Sequence, residues 1–212
     1  MRMMKKVDTH WSPSLAYIIG IIATDGNLSS DQRHITITSK DEDILILIRD
    51  SLKLTSKVGK KSRGASQEKK YSVLQIGDKN FYNFLLSIGL TPNKSKTIGK
   101  LLVPQQYFSH FLRGCIDGDG SIGSVSHPES KHQQLRIRLY SASALFLLWI
   151  KKELDQQLSL PGGWIYTSPD KSLGALSYGK ADSTKILHFI YKNKGILYLK
   201  RKLDTAAVFM GK

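Results

Sequence analysis

Two acid-glycine strings carry most of the chemistry open to this 212-residue chain: ATDG at Ala23 to Gly26 and DGDG at Asp117 to Gly120. Asp25 and Asp119, 94 positions apart, are the acids common to both, because the first string has Ala23 where the second has Asp117. Small residues recur at spacing four before them, Ala16, Gly20 and Thr24 in one segment and Gly114 and Gly118 in the other. On helices these form stripes without bulk that two helices can bring together. Packed that way, the helices would end with Asp25 beside Asp119. Carboxylates so close repel unless a cation joins them, and oxygen-only ligands suit a hard ion such as Mg²⁺. The chemistry this suggests is metal-assisted phosphodiester hydrolysis. Asp117 is left with a local, capping role. A calcium loop counted from Asp117 fails, since Ile122 and Pro128 stand where glycine and glutamate are needed. A plain Asp-Gly turn explains either string alone, but not both with matching flanks.

The flanks repeat as well. LAYIIGIIATDGNL (Leu15 to Leu28) answers SHFLRGCIDGDGSI (Ser109 to Ile122), and ITITSKDEDILILI (Ile35 to Ile48) answers IRLYSASALFLLWI (Ile137 to Ile150) at an offset of 102. Each copy reads as helix, two strands, helix, two strands, helix. In the first copy the helices are expected near 14–24, 41–54 and 78–88, the leading one closed by a glycine cap at Gly26. Its strands are expected near 27–30, 34–39, 56–63 and 71–76. In the second, helices are expected near 105–118, 143–158 and 181–191 and strands near 121–126, 134–140, 164–168 and 173–178, followed by a basic terminal segment. The fold class is therefore α+β, two tandem αββαββα repeats with a pseudo-twofold axis. The N-terminal repeat covers 1–98, a linker 99–104 and the C-terminal repeat 105–212.

Charge narrows the partners. With 32 Lys plus Arg against 17 Asp plus Glu, the net charge is +15, which points to nucleic acid ahead of an anionic membrane. The longest apolar runs, Leu15 to Ala23 and Ala144 to Ile150, are too short to span a bilayer. The basic amino end followed by an apolar run imitates a signal peptide but lacks its cleavage site. A lone cysteine, Cys115, permits no intramolecular disulfide and fits a reducing compartment. A bacterial or archaeal cytoplasm, or an organelle-encoded protein, is expected; a secreted one is not. The six histidines form no ligand cluster, and no phosphate-binding GxxxxGK[ST] or GxGxxG string is present.

IIGIIATDG (Ile18 to Gly26) and LRGCIDGDG (Leu112 to Gly120), with GLTPNKSKT (Gly89 to Thr97), resemble the LAGLIDADG homing endonucleases in their single-chain, two-motif form. The resemblance spans nearly the whole chain. It implies motif helices at the interface of the repeats and two four-stranded antiparallel sheets that bind DNA. It also implies that Asp25 and Asp119 bind divalent metal, with the backbone at Ala23 or Gly118 as a further ligand, and that both strands are cut. Mg²⁺ is the expected ion, with Mn²⁺ able to substitute and Ca²⁺ able to bind without supporting cleavage. A basic residue near each scissile phosphate is implied too: Lys94 in the first repeat and Lys202, preferred over Lys200, in the second. Ser39 and Ser141 align where the family often has a polar active-site residue.

Recognition is expected from the strands' exposed faces, because a two-stranded ribbon fits the major groove. The candidates are Arg33, Lys57, Lys61, Arg63, Gln67, Lys69, Tyr71 and Gln75 in the first repeat. In the second they are Gln134, Arg136, Arg138, Tyr166, Ser168 and Lys171. The reading is a monomeric, Mg²⁺-dependent, site-specific double-strand DNA endonuclease. Its rivals are an RNA maturase acting on intron RNA, a non-cleaving DNA-binding regulator on the same fold, and a nonspecific basic binder.

Overall fold

The computed structural model describes residues 7–62, 68, 70–125, 134–169, 172–193, 195 and 197–211. Two units of like order follow one another. The first runs α1 (Pro13–Asp25), β1 (Gly26–Leu28), β2 (His34–Ser39), α2 (Glu42–Ser51), β3 (Gly59–Lys61), β4 (Tyr71–Gly77) and α3 (Lys79–Ser87). The second runs α4 (Phe108–Asp119), β5 (Gly120–Val125), β6 (Gln134–Ser141), α5 (Ala144–Leu158), β7 (Trp164–Thr167), β8 (Gly174–Tyr178) and α6 (Lys180–Tyr191), and α7 (Lys200–Met210) closes the chain. Helix α7 is the element that the sequence reading left as a basic segment. Its inward residues, Lys202 and Ala206, are one turn apart.

Local chemistry explains where the motif helices start and stop. Ser12 caps α1 by accepting a hydrogen bond from Leu15 N at 3.1 Å, and Pro13 fills the first position, where no N–H is required. The glycines that follow the helices are not left-handed caps, contrary to the expectation at Gly26. Gly26 and Gly120 have φ of −90° and −100°, an extended backbone open to any residue. What they need is space: a Cβ would stand 2.7 Å from Ile22 Cα in one case and 2.6 Å from Ile116 Cα in the other. Glycine lets the chain double back on its own helix and enter a strand in the next residue.

Each unit holds one four-stranded antiparallel sheet, ordered β1-β2-β4-β3 and β5-β6-β8-β7. Period-two alternation sorts the faces. Ile35 and Ile37 are buried and paired with Ile76 and Leu74, while Thr36 and Thr38 point the other way opposite Gln75 and Val73. In the second sheet Leu135, Ile137 and Leu139 are buried between the outward Gln134, Arg136, Arg138 and Tyr140. Helices α2 and α5 cover the inward faces through Ile44, Leu45 and Ile48, and through Phe146, Leu147 and Ile150. Among the described residues no helix is long and apolar enough to cross a membrane.

The units meet along α1 and α4. Helix α1 is buried at every position from Leu15 to Ala23, so this stretch has no solvent face. The seam is tightest at Gly20 and Gly114. A Cβ on Gly20 would collide with the Phe111 carbonyl and lie 2.9 Å from Cys115 N; one on Gly114 would collide with the Tyr17 carbonyl and lie 3.1 Å from Ile21 N. Two further ties cross between the repeats. Ser143 Oγ, at the start of α5, donates to the Ile98 carbonyl at 2.5 Å. Arg201 of α7 grips Asp41, at the start of α2, with Nε at 3.0 Å and Nη2 at 2.9 Å.

Backbone lies on both sides of the missing Cβ atoms, so relief requires helix separation. Gly20→Ala or Gly114→Ala is expected to cost at least ~2 kcal/mol in chemical denaturation. Gly123→Ala, where an added Cβ meets nothing within 4 Å, should stay within about 0.5 kcal/mol of the parent.

Candidate metal centre and nucleic-acid face

Asp25 and Asp119 are the last residues of α1 and α4, so the helix crossing at Gly20 and Gly114 delivers both to one place. Together with Thr24, Gly26, Thr38, Lys61 and Ser62 they line one cleft of about 370 Å³. The approach is close: a Cβ on Gly118 would run into Thr24 and stand 3.2 Å from Asp25 Oδ2. Two helix C-termini, each bearing partial negative charge, add to the two carboxylates. Gly118 therefore lies against the Asp25 carboxylate, whereas Ala23 is buried and is not part of the cleft lining. The position equivalent to Gly118 in the first repeat is Thr24, which does line the cleft. Its hydroxyl turns back to donate to the Gly20 and Ile21 carbonyls, each at 3.1 Å.

Behind each acid lies a buried lysine. Lys94, 5% exposed, is in a 3₁₀ turn (Lys94–Lys96) and donates to the Gly26 carbonyl. Lys202, 6% exposed, donates to the Gly120 carbonyl at 2.8 Å, the Asp117 carbonyl at 2.8 Å and the Ile116 carbonyl. Both ammonium groups thus close the turn by which a motif helix passes into its strand, and Gly26 and Gly120 are equivalent positions. Burial lowers Lys94 to about 8 against the opposing pull of Asp119 and Asp25. Burial lowers Lys202 to about 8 as well, opposed first by Asp117. Lys200 is exposed and pairs with Asp204 along its own helix.

Asp117 plays a larger structural part than a local cap. Its Oδ2 accepts from Tyr17 O–H across the seam and from Leu199 N at the head of α7, both at 2.8 Å. Its burial raises its pKa. Arg113, fully buried, donates to the Ile190 carbonyl at 2.6 Å and the Leu197 carbonyl at 3.1 Å and stacks on the Tyr17 ring. Nothing in the patterning of the sequence marks Arg113, which occupies a core position of α4. Ser39 and Ser141 also have structural uses, accepting from Asp41 N and Ser143 N at 3.1 Å each as the chain enters α2 and α5.

The recognition candidates divide by strand register. Lys61, Tyr71 and Gln75 lie on the outward face of the first sheet, and Lys61 reaches the acid cleft. Gln134, Arg136, Arg138 and Tyr166 lie on the outward face of the second. Arg33 and Lys57 are exposed in connections beside the first sheet. Ser168 lies just past β7, where its Oγ accepts from Leu173 N at 3.1 Å. Arg63, Gln67, Lys69 and Lys171 fall outside the described residues. Missing from the candidate set were Asn27, Thr36, Thr38, Val73, Tyr140 and Trp164, all outward by register. The Thr36 and Thr38 alternation with Ile35 and Ile37 carries that signal in the sequence. Lys60, by contrast, turns inward to Glu42 and to Ser72 Oγ at 3.0 Å.

Both lysines lose affinity for their proton on folding, from an ordinary value of ~10.4. The unfolded chain binds more protons than the folded one between pH ~8 and ~10.4, so in that window stability contributed by these groups rises with pH. Lys94→Met and Lys202→Met should lack that rise, and each should fall behind the parent by up to about 3 kcal/mol across the window in denaturant titrations. Tyr17→Phe leaves the buried Asp117 carboxylate short of a donor and is expected to cost about 1–3 kcal/mol by the same measurement.

Over residues 12–89 the sequence matches the model of the LAGLIDADG-like domain family. The chain is similar in structure to the I-LtrWI LAGLIDADG homing endonuclease bound to target DNA, at 12% identity over 93% of this chain and 89% of that one, with a TM-score of 0.60. It is similar to the N-terminal LAGLIDADG domain of DUF199/WhiA, at 18% identity over 93% and 89%, with a TM-score of 0.56. It is also similar to I-DmoI in complex with DNA and Mn, at 18% identity over 84% and 96%, with a TM-score of 0.54. No curated protein matches the chain in sequence. Residues 12–89 thus match a LAGLIDADG-like domain, and the chain as a whole shares the two-unit fold of these LAGLIDADG structures.

Proposed function

We propose that the protein is a site-specific endonuclease that hydrolyses both strands of a long, pseudo-palindromic DNA duplex with divalent metal held by Asp25 and Asp119. The observation that carries this reading is the cleft itself, in which one acid from each repeat meets the other at the ends of two helices. The donor set fits a divalent cation. Two carboxylates and two helix C-termini concentrate negative charge that no apolar packing would favour, and all the offered ligands are oxygen. Mg²⁺ is the ion such a site prefers, with its remaining positions filled by water and phosphate. A cation held there supplies acidity to water and positive charge to a phosphodiester.

The chain's own residues do the rest. Lys94 and Lys202 hold the glycine turns that aim the acids, and their charge offsets the carboxylates during approach of a phosphate. Lys61, on the cleft wall and the outward sheet face at once, is placed to bind the backbone beside the scissile bond. Thr36, Thr38 and Gln75 on one sheet, and Arg136 and Arg138 on the other, face where base edges would pass. I-LtrWI bound to target DNA and I-DmoI with DNA and Mn support this reading by likeness of fold.

Incubation of a randomised duplex library with the protein and Mg²⁺, followed by sequencing of cut ends, tests it. One long site should be enriched, Ca²⁺ should not support cutting, and Asp25→Asn or Asp119→Asn should abolish double-strand cleavage while specific binding persists. Cutting that survives in both variants would remove the assigned acid pair, and selective binding without cutting under any metal would favour a regulator. Arg138→Ala should weaken binding to the selected site by ~1–3 kcal/mol while changing affinity for unrelated duplex little. Equal loss on both would assign Arg138 to phosphate.

A further inference from the structure

The outward faces of the two sheets differ in kind. At offset 102, Arg136 corresponds to His34, and strand register sets Trp164 opposite Ser177, which corresponds to Gln75 of the first sheet. Ser177 pairs in turn with Arg138, so Trp164 and Arg136 lie on the same outward face with β8 between their strands. The guanidinium carbon of Arg136 lies over the indole at 5.4 Å from the ring centroid. On the other flank Arg136 faces Gly123, which has no side chain and, among the described residues, nothing within 4 Å of where a Cβ would stand. Arg136 Nε is enclosed and has no hydrogen-bond partner among the described residues. The indole, by contrast, is 47% exposed on an edge strand and adds nothing to the core.

We infer that Trp164 is a positioning residue that holds Arg136 for end-on readout of a guanine in the half-site under the second sheet. The inference rests on the proposal that these faces bind duplex DNA. An arginine stacked on an aromatic face keeps its fork planar and loses less freedom on binding. With Nε covered, the two terminal nitrogens form the free edge of the fork, and guanine offers O6 and N7 acceptors at matching spacing in the major groove. Phosphate contact would require neither the ring nor the missing side chain at Gly123. The first sheet presents His34, Thr36 and Thr38 on its corresponding strand, with no arginine among them.

The test is selection of bound duplexes from a randomised pool in Ca²⁺ by the parent, Trp164→Ala, Trp164→Phe and Arg136→Lys, with melting curves for each. The parent should select a site with a strongly preferred guanine at a position under the second sheet. Arg136→Lys, which keeps charge and leaves the indole in place, should lower that preference about tenfold. Trp164→Ala should lower it roughly fivefold, and Trp164→Phe should restore most of it, with preferences elsewhere unchanged. Should Trp164→Ala melt early, the phenylalanine and lysine variants decide alone, since neither removes the packing. A guanine preference intact in Trp164→Ala and Arg136→Lys, or equal loss on every sequence, would overturn the inference while leaving DNA recognition standing. A parent that selects no sequence would overturn both.

Discussion

The contact of Gly20 with Gly114 is the constraint from which the site follows. Helix axes can approach so closely only where both partners lack a Cβ, and one methyl group on either would strike a carbonyl of the other helix. Contact at that level fixes where the helices cross and so fixes where their ends emerge. One turn and a half further on, Asp25 and Asp119 leave their helices into the same cleft. The acids are set by packing, several residues away from the atoms that would do chemistry. This separates two demands that otherwise conflict: at Gly20 and Gly114 the seam is close-packed backbone, while Asp25 and Asp119 stand at its cleft end.

Placing two carboxylates at two helix C-termini creates a local excess of negative charge, and the fold answers it with Lys94 and Lys202. Lys94 feels the charge of both Asp119 and Asp25, and Lys202 that of Asp25. Each also donates to the carbonyl of the glycine that opens the following strand, and Lys202 adds the Ile116 and Asp117 carbonyls at the end of α4. Buried ammonium groups are costly unless hydrogen-bonded, and the carbonyls of Gly26 and Gly120 supply those bonds. The same groups that steady the turns thus carry the counter-charge, and burial tunes both to a value near neutrality. Both acids remain part of the cleft lining.

Much of this was legible in the sequence because repetition restricts the reading. An Asp-Gly turn is unremarkable once, but the same turn at domain spacing, behind stripes of small residues, singles out Asp25 and Asp119 as residues to be brought together. Strand β2 was legible to the residue, since Ile35 and Ile37 alternate cleanly with polar neighbours. Other parts depend on tertiary packing. Gly26 and Gly120 look like left-handed caps in sequence and prove extended, because the demand on them comes from Ile22 and Ile116 of their own helices. Helix α7 hides in a run of basic residues, its inward face consisting of a lysine and an alanine. Trp164 reads as an ordinary apolar strand residue until register shows it outward beside Arg136.

The bond between Tyr17 and Asp117 has a further meaning for how the halves find one another. By the internal symmetry, the places of Tyr17 and Asp117 are taken on the other side of the seam by Phe111 and Ala23. Only the pairing of a first half with a second half sets a hydroxyl against a carboxylate. Two first halves would place each Tyr17 hydroxyl against an alanine, and two second halves would bury each Asp117 against a phenylalanine ring. Both errors strand buried polar groups, which is costly in a dry interface. At this contact the halves are thus complementary to each other and mismatched to their own kind.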